Sequence, residues 1–585
     1  MVTNLLTKAI QQALNKLGVK NAVVDLEHPA DEAFGDWSTN VALQYVKEAK
    51  QFDNPHQFAE ELKKQLADSL SAESAVAEIS VVKPGFINFR LSPEYWLAQL
   101  TKLATISAEE LLPQAGKGKT IIVEYSSPNI AKPFTVGHLR STIIGDAIAN
   151  LYEALGWHVH RDNHVGDWGT QFGKLIYALK TWGDREEISR MKRPIKELVN
   201  LYVRFHREAA ENESLEDFGR EWFKKLESGD SEARSIWQWC VELSWQEFDQ
   251  IYDELKIKFT ENDGRGYGES FFENRMDQVL EILEEKLPQD QAEERGGYYG
   301  EGEDGAKLVF FADEALPSLM ILKKDGATLY ATRDLATDYY RLKNYDSPTL
   351  IVNEVGAEQS LYFKQLYRVE ELLGWYQPGQ RVHVRHGLYR FRDKKMSTRK
   401  GDVIWLEDVI AEAKERALAI APDQPAAAAQ VAIGALKWND LKSETTHDIT
   451  FAWEEILSMK GNSGPYVQYA AVRAQSVLDK AKAETDAEGA VAANYQLNAE
   501  ELAVVSWLGR FAEVVAKSAE EFAPHHLATF LFELAQRFNV LYNQHSILAA
   551  DTAAQKQTRL ALTAAVRKVL SAGLAILGIE TPEEM

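Results

Sequence analysis

Apolar residues recur at helical spacing near the start of the chain. Leu5, Ile10, Ala13 and Leu17 predict a helix, and the segment closes on a strand-like run, Gly85-Phe86-Ile87-Asn88-Phe89-Arg90-Leu91. The loop Pro113-Gln114-Ala115-Gly116-Lys117-Gly118-Lys119 then interrupts the pattern. Beyond it, Thr120-Ile121-Ile122-Val123-Glu124-Tyr125 is a β-branched run of the kind that fills a buried strand. A helix follows with Leu139, Ile143, Ile144 and Ala147 on one face, and His158-Val159-His160-Arg161 reads as a second strand. Strand, loop and helix in alternation predict a doubly wound parallel sheet. From about 185 to 290 the alternation gives way to a charged helical stretch, with Ile195, Leu198, Tyr202 and Phe205 as its apolar stripe, which reads as an insertion. Strand character returns at 306–312, 350–354 and 382–384. The alanine-rich run 421–429 predicts a connection, and the rest of the chain reads as helical, as at 507–516 and 527–542. Phe530, Leu534, Phe538 and Leu541 are expected to form bundle core.

The expected fold is therefore multidomain α/β: a Rossmann-like, doubly wound parallel-sheet domain with a helical insertion, a small α+β N-terminal domain, and an all-α C-terminal domain. The boundaries expected are 1–112, 113–420 with the insertion at about 185–290, and 421–585. A length of 585 residues agrees, since roughly 150 residues make a domain. No apolar run approaches the roughly 18 residues of a membrane span, and the N-terminus has no signal-like pattern. The single cysteine, Cys240, excludes an internal disulfide framework and a multi-thiolate zinc site. A cytoplasmic protein without membrane attachment is expected. With 65 basic and 88 acidic residues the net charge is −23, which argues against indiscriminate nucleic-acid binding. The segment 381–400 is the exception, with eight Lys or Arg against Asp393 alone, a local track suited to a polyanion.

Two segments carry candidate chemistry. The first runs from Glu124 to Ser141, between a buried strand and a helix start, where parallel sheets bind phosphates. Gly137 would allow close approach, and His138 on the first helical turn could donate to a phosphate beside unpaired N–H groups. The second, Lys394-Lys395-Met396-Ser397-Thr398-Arg399-Lys400-Gly401-Asp402, has the composition of a loop that clamps a triphosphate. Taken singly, a helix-start histidine of no special role and a solvated basic loop are the more ordinary readings.

Together the two segments resemble the paired ATP-binding signatures of class I aminoacyl-tRNA synthetases, H-x-G-H and K-M-S-K-S. Their extended forms are similar to those of arginyl-tRNA synthetases. The resemblance spans nearly the whole chain, through Phe34-Gly35-Asp36-Trp37-Ser38-Thr39-Asn40, Pro84-Gly85-Phe86-Ile87-Asn88-Phe89, Asn163-His164-Val165-Gly166-Asp167-Trp168-Gly169, Gly268-Glu269-Ser270, Leu329-Tyr330-Ala331-Thr332-Arg333-Asp334, Val355-Gly356-Ala357-Glu358-Gln359-Ser360 and Gly464-Pro465-Tyr466-Val467-Gln468-Tyr469-Ala470. Two positions depart from the signatures. Thr135 stands where the first histidine is usual, and Thr398 where the second lysine is usual; Lys132, just before the first signature, is in the place of a compensating cation.

The resemblance implies a ligase that activates L-arginine with ATP, accompanied by Mg²⁺, and esterifies the terminal ribose of tRNA(Arg), releasing AMP and pyrophosphate. It implies His138, Lys132, Lys395 and Arg399 as catalytic donors and cations. Thr135, Gly137, His138, Gly166, Asp167, Gly169, His386, Gly387, Met396 and Ser397 are expected around ATP. Ser127, Pro128, Asn129, His138, Glu269, Tyr330, Asp334, Gln359 and Glu124 are expected around arginine. Tyr330 and Asp334, four apart, share a face if helical, and a carboxylate can take a guanidinium through two parallel hydrogen bonds. For the tRNA, Phe86 and Asn88 are expected at its outer corner, with Tyr466, Gln468, Tyr469 and Arg473 at the anticodon. No residue is expected to hold a metal of its own, and a monomer is expected. The alternatives are a non-catalytic RNA-binding synthetase paralogue and a small-substrate nucleotidyltransferase.

Overall fold

Four strands form the central sheet: β1 (Thr120–Glu124), β2 (His158–Asp162), β3 (Leu350–Gly356) and β4 (Arg381–His386). In this computed structural model, which describes residues 2–71, 73–313, 316–345, 348–391, 404–484, 491–492 and 495–585, they lie in the order β4-β3-β1-β2. All neighbouring pairs are parallel. Ile121, Ile122, Val123, Ile351 and Val352 are sealed from solvent, as their β-branched side chains require in a sheet covered on both faces. Helix α1 (Val136–Ala154) carries the chain from β1 to β2, and β3 returns on the other side of β1. The direction of winding thus reverses between β1 and β3, where a crevice opens at the carboxyl ends of the strands. Glu124 ends β1 there and Gly356 ends β3.

Between β2 and β3 the helical insertion comprises Thr170–Trp182, Arg185–Arg190, Pro194–Glu211, Ser214–Glu227 and Ser231–Leu255. It buries Ile195, Leu198 and Phe205, with Tyr202 half-buried. The strand expected at 306–312 forms as Lys307–Phe311 but stays out of the parallel sheet. It is the middle strand of a separate antiparallel sheet with Gly297–Glu301 and Leu319–Leu322. Its short connections permit only antiparallel neighbours.

Helix α1 is tied to the segment that follows residue 437. Arg140, fully buried, donates from Nε to Asp440 at 3.1 Å, from Nη1 to the His447 carbonyl at 2.8 Å and from Nη2 to the Thr445 carbonyl at 3.1 Å. The Tyr389 hydroxyl also donates to Asp440, at 2.5 Å. Two turns along α1, Asp146 lies 3.8 Å from the buried Lys437, which donates to the Gly578 carbonyl. A short strand, Ile449–Phe451, pairs in parallel with Tyr389–Phe391 before the C-terminal helices begin.

The chain divides into two compact units, this one comprising 112–472, 513–532 and 571–585, and another comprising 1–111, 473–512 and 533–570. In the latter, the strands Trp37–Thr39, Phe86–Leu91 and Val76–Val82 form an antiparallel sheet with Phe86–Leu91 in the middle. The helix Val2–Lys16 buries Leu6, Ala9, Ile10, Ala13 and Leu14, so Leu5 sits at the edge of the stripe and Leu17 beyond the helix end. The alanines at 426–429 belong to the helix Pro425–Leu441, with Pro425 in the helix-opening position where its missing N–H costs nothing. The stretch 507–516 is two helices, Ala499–Leu508 and Phe511–Glu520. They part at Gly509, where a Cβ would stand 2.8 Å from the Trp96 ring. Phe530, Leu534, Phe538 and Leu541 are buried. Among the described residues, no helix is long and apolar enough to cross a membrane.

Candidate active site

A cavity of about 520 Å³ occupies the crevice at the switch point. One end is built by the start of α1. The Thr135 N–H donates to His138 Nδ1 at 2.9 Å, which leaves Nε2 as the protonated nitrogen of a neutral ring. Burial lowers the pKa of His138, so the ring stays neutral and its Nε2–H is a fixed donor. Thr135 and Gly137 also line the cavity. Lys132 does not line it; the side chain is half-buried, burial lowers its pKa, and Glu269 pulls the other way. His386 lines the cavity, with Nδ1 2.8 Å from Glu354, whose carboxylate raises the imidazole pKa against the opposing effect of burial. Gly387 is pressed against the Thr446 carbonyl, 2.8 Å from where a Cβ would be.

The described chain stops at Phe391 and resumes at Ile404, and both flanks sit at this end. His386 and Leu388 line the cavity, the Val136 N–H donates to the Ile404 carbonyl at 3.1 Å, and Trp405 bridges to Thr135. Lys395, Met396, Ser397 and Arg399 lie outside the described residues.

The floor is formed by the loop after β2. The Gly166 N–H donates to the Pro128 carbonyl and the Ile130 N–H to the Gly166 carbonyl, both at 3.1 Å. A Cβ on Gly166 would lie 2.4 Å from Asn129 Oδ1, so glycine leaves the Asn129 side chain its place on the cavity lining. Pro128 is buried behind it, whereas Ser127 is exposed on the lining and accepts the His164 N–H at 3.2 Å. Of the three residues expected near adenosine here, Gly166 alone lines the cavity. Asp167 turns away, accepting the N–H and hydroxyl of Ser270 at 2.7 and 2.6 Å, and burial raises its pKa. Gly169, at φ +131°, caps the helix Thr170–Trp182 instead.

The opposite end is acidic. Helix α2 (Tyr330–Asn344) places Tyr330 and Asp334 one turn apart, as expected from their spacing, and both line the cavity. Tyr330 is exposed and meets the Tyr362 ring edge-on at 4.7 Å. The Tyr362 hydroxyl donates to Asp334 Oδ2, and Asp334 Oδ1 faces His164 Nε2 at 3.6 Å. Glu269, its pKa raised by burial, stands 3.6 Å from Arg333. Glu124 is buried, and although burial pushes its pKa up, Arg341 and His164 hold it below the usual range. Gln359 is exposed on the rim. His164 anchors its Nδ1 on the Tyr267 carbonyl at 2.9 Å; burial disfavours its charge, but Asp334, Glu124 and Glu269 push its pKa up to about 10. His164 and Tyr362 were not singled out from sequence. The motif around His164 was the available signal, whereas Tyr362 had none. Among the described residues, no group of three or more His, Cys, Asp or Glu is arranged to hold a metal ion.

One end of the cavity is thus a neutral N–H donor at a helix start, the other a set of carboxylates. Comparison with known proteins places the chain in a family. Residues 101–453 match the catalytic domain of class I (R) tRNA synthetases, 4–91 the arginyl tRNA synthetase N terminal domain and 467–585 the DALR anticodon binding domain. The chain belongs to the arginyl-tRNA synthetase family. It is 40% identical to an arginine–tRNA ligase of Exiguobacterium sibiricum over 96% of this chain and 95% of that one, and 36% identical to one from Clostridioides difficile over 99% of both. The solved arginyl-tRNA synthetase of Thermus thermophilus superposes with a TM-score of 0.78 at 25% identity, covering 100% of both chains. That of Plasmodium falciparum shares the fold, with a TM-score of 0.81 at 24% identity, covering 100% of this chain and 99% of the other.

The four residues expected at the anticodon of this arginyl-tRNA synthetase family member share one helix but differ in their surroundings. Tyr466 and Tyr469 are half-buried on the helix Gly464–Glu484, Tyr466 lying 5.7 Å from the Phe532 ring and Tyr469 lining an apolar recess with Ile420 and Met459. Gln468 is instead a packing residue: fully buried, it donates to the Glu580 carbonyl at 2.8 Å and sits where a Cβ on Gly434 would be. Its amide nitrogen is spent on buried backbone. Arg473 donates to Asn539 at 2.6 Å and lies over the Tyr542 ring. In the N-terminal sheet Phe86 is half-buried, while Asn88 is only 3% exposed between Ser38 and Ser80, which leaves it little surface for RNA.

Proposed function

We propose that the chain charges tRNA(Arg) with L-arginine in two steps within this cavity. The observation that carries the reading is the placement of Asp334, Glu124 and Glu269 at one end and the His138 Nε2–H at the other. Asp334, Tyr330 and Glu124 take the guanidinium, with Glu269 adding charge, and Ser127, Asn129 and Gln359 hold the amino and carboxylate groups. The arginine carboxylate oxygen attacks the α-phosphorus of ATP, and the bond to pyrophosphate breaks as arginyl-adenylate forms. No protein nucleophile is required; alignment and charge stabilisation do the work. His138 donates to phosphate oxygens and Lys132 supplies charge nearby, with Lys395 and Arg399 in the same role. Mg²⁺ bound to ATP would add neutralisation of the phosphate charge to that of these side chains. In the second step a hydroxyl of the terminal ribose attacks the arginyl carbonyl, and AMP leaves.

In this reading tRNA binding falls to 1–112, catalysis to 113–420 together with the 440–448 segment that holds Arg140, and anticodon binding to the C-terminal helices that follow, in a cytoplasmic monomer. ATP–pyrophosphate exchange against all twenty amino acids, with and without tRNA, tests the reading. Exchange for arginine alone supports it. Exchange for none would favour a non-catalytic paralogue, and exchange for a small substrate without any RNA requirement would favour a nucleotidyltransferase.

A further inference from the structure

Glu124 belongs to a closed ring of five buried side chains drawn from four elements. Arg341 on α2 donates from Nη2 to Glu124 Oε2 at 2.5 Å and from Nη1 to Asp338 Oδ1 at 3.1 Å. Arg381, at the start of β4, donates from Nη2 to Asp338 Oδ2 at 2.8 Å and to Asn353 Oδ1 at 3.1 Å. Asn353 on β3, paired with Glu124 across the sheet, closes the ring by donating from Nδ2 to Glu124 Oε1 at 3.0 Å. Arg341 also donates to Asp162 at 2.7 Å, and the Tyr367 hydroxyl to Asn353 Oδ1 at 2.9 Å.

The chemistry of the ring leaves one arrangement. A guanidinium can only donate, so Arg381 fixes Oδ1 as the side of Asn353 it meets. The amide nitrogen must then face Glu124. Both carboxylate oxygens of Glu124 are held by separate donors, which sets the plane and direction of the group at the cavity wall.

We propose that Asn353 and Arg381 are positioning residues that aim the Glu124 carboxylate at the cationic end of the substrate. This rests on the reading above, in which Glu124 meets the guanidinium. Asn353 lines the cavity, but its amide is spent on Glu124, Arg381 and Tyr367; Arg381 does not line it. Both act through Glu124.

The test is Asn353→Asp, which keeps the shape and replaces the donor facing Glu124 with an acceptor. In pyrophosphate exchange by the full chain with tRNA, the KM for arginine should rise about 10- to 100-fold, the range for a buried group left unsatisfied, while the KM for ATP stays within about twofold. Lowering the pH from 8 to 6 should restore part of the loss in the variant only, because a proton shared by the facing carboxyls is again a donor. In a Glu124→Gln background the glutamine amide can donate to the new carboxylate, so Asn353→Asp should cost less than about twofold more. Tyr367→Phe, which removes only a hydroxyl, should raise the arginine KM about threefold alone and not at all beside Glu124→Gln, and it decides the matter if Asn353→Asp does not fold. Equal losses in both backgrounds, or a rise in the ATP KM matching that for arginine, would overturn the proposal. Glu124→Gln leaving the arginine KM unchanged would instead overturn the reading of Glu124 on which the proposal rests.

Discussion

The donor end of the cavity and its acidic end are built on different plans. At the donor end Thr135, Gly137 and His138 come from the cap and first turn of α1, and the helix start itself orients the imidazole through the Thr135 N–H. At the acidic end Glu124, His164, Glu269, Asp334 and Tyr362 come from five separate stretches of chain, and each carboxylate needs a partner of its own. A neutral donor at a helix start can be local. A cluster of carboxylates repels itself and must be held by surrounding cations and hydroxyls.

The contrast is open to attack from either end. Asp334→Asn should have the largest effect, because it removes the counter-charge of the guanidinium and turns an acceptor into a donor. Losing one partner of a buried pair costs about 2–5 kcal/mol, so arginine use in tRNA-dependent exchange should fall about 30- to several-thousand-fold. Citrulline, neutral and with a carbonyl in place of one amino group, should lose far less. Equal losses for the two would mean that Asp334 is not the guanidinium partner. Lys132→Ala should come next, lowering the turnover of exchange by about 10²-fold with arginine binding nearly intact, as expected of a charge that acts on the phosphates in the transition state. A change confined to the KM for ATP would make Lys132 a ground-state contact. Tyr362→Phe should raise the arginine KM about 3- to 10-fold by freeing one oxygen of Asp334, with the KM for ATP unmoved.

The smallest effect expected is a pH dependence of stability. The pKa of His164 rises from its ordinary value of 6.5 to about 10 in the fold. The stabilisation this represents is fully present below about pH 6.5 and fades as pH climbs through about 10. His164→Asn should therefore lower the melting temperature most in acid, and the gap from the parent should narrow with rising pH. A gap that is constant with pH would mean that the imidazole is uncharged in the pocket.

The same contrast explains what could be read from sequence. The strand 120–125, α1 and His138 were legible because strand burial, helix phase and helix start are encoded within a few residues. Tyr330 and Asp334 were legible as a pair because they are one turn apart. Tyr362, Asn353, Arg341 and Arg381 were not, since their roles depend on tertiary pairing that no local pattern expresses. Gln468 shows a related limit: beside two tyrosines it looks like a base reader, but its burial depends on the small residue it packs on, Gly434, 34 positions earlier. The strand at 307–311 is legible as a strand, but the pattern of its residues says nothing about which sheet receives it.

Arg140 bears on how the molecule can be taken apart and recombined. Its three acceptors, Asp440, Thr445 and His447, lie beyond the alanine-rich stretch that looks from sequence like a natural seam. Thr445 also accepts the Gly387 N–H, and Asp448 the Leu388 N–H, so the strand that carries His386 leans on the same few residues. A catalytic fragment cut at residue 420 would keep the signature helix and lose all of these partners, leaving a guanidinium in the interior with no counter-charge. Grafting the C-terminal helices of a relative onto this chain would therefore have to carry residues 440–448 in the half that keeps α1, and a chimaera joined at the alanines would be soluble only if the donor supplied the same carboxylate and carbonyls.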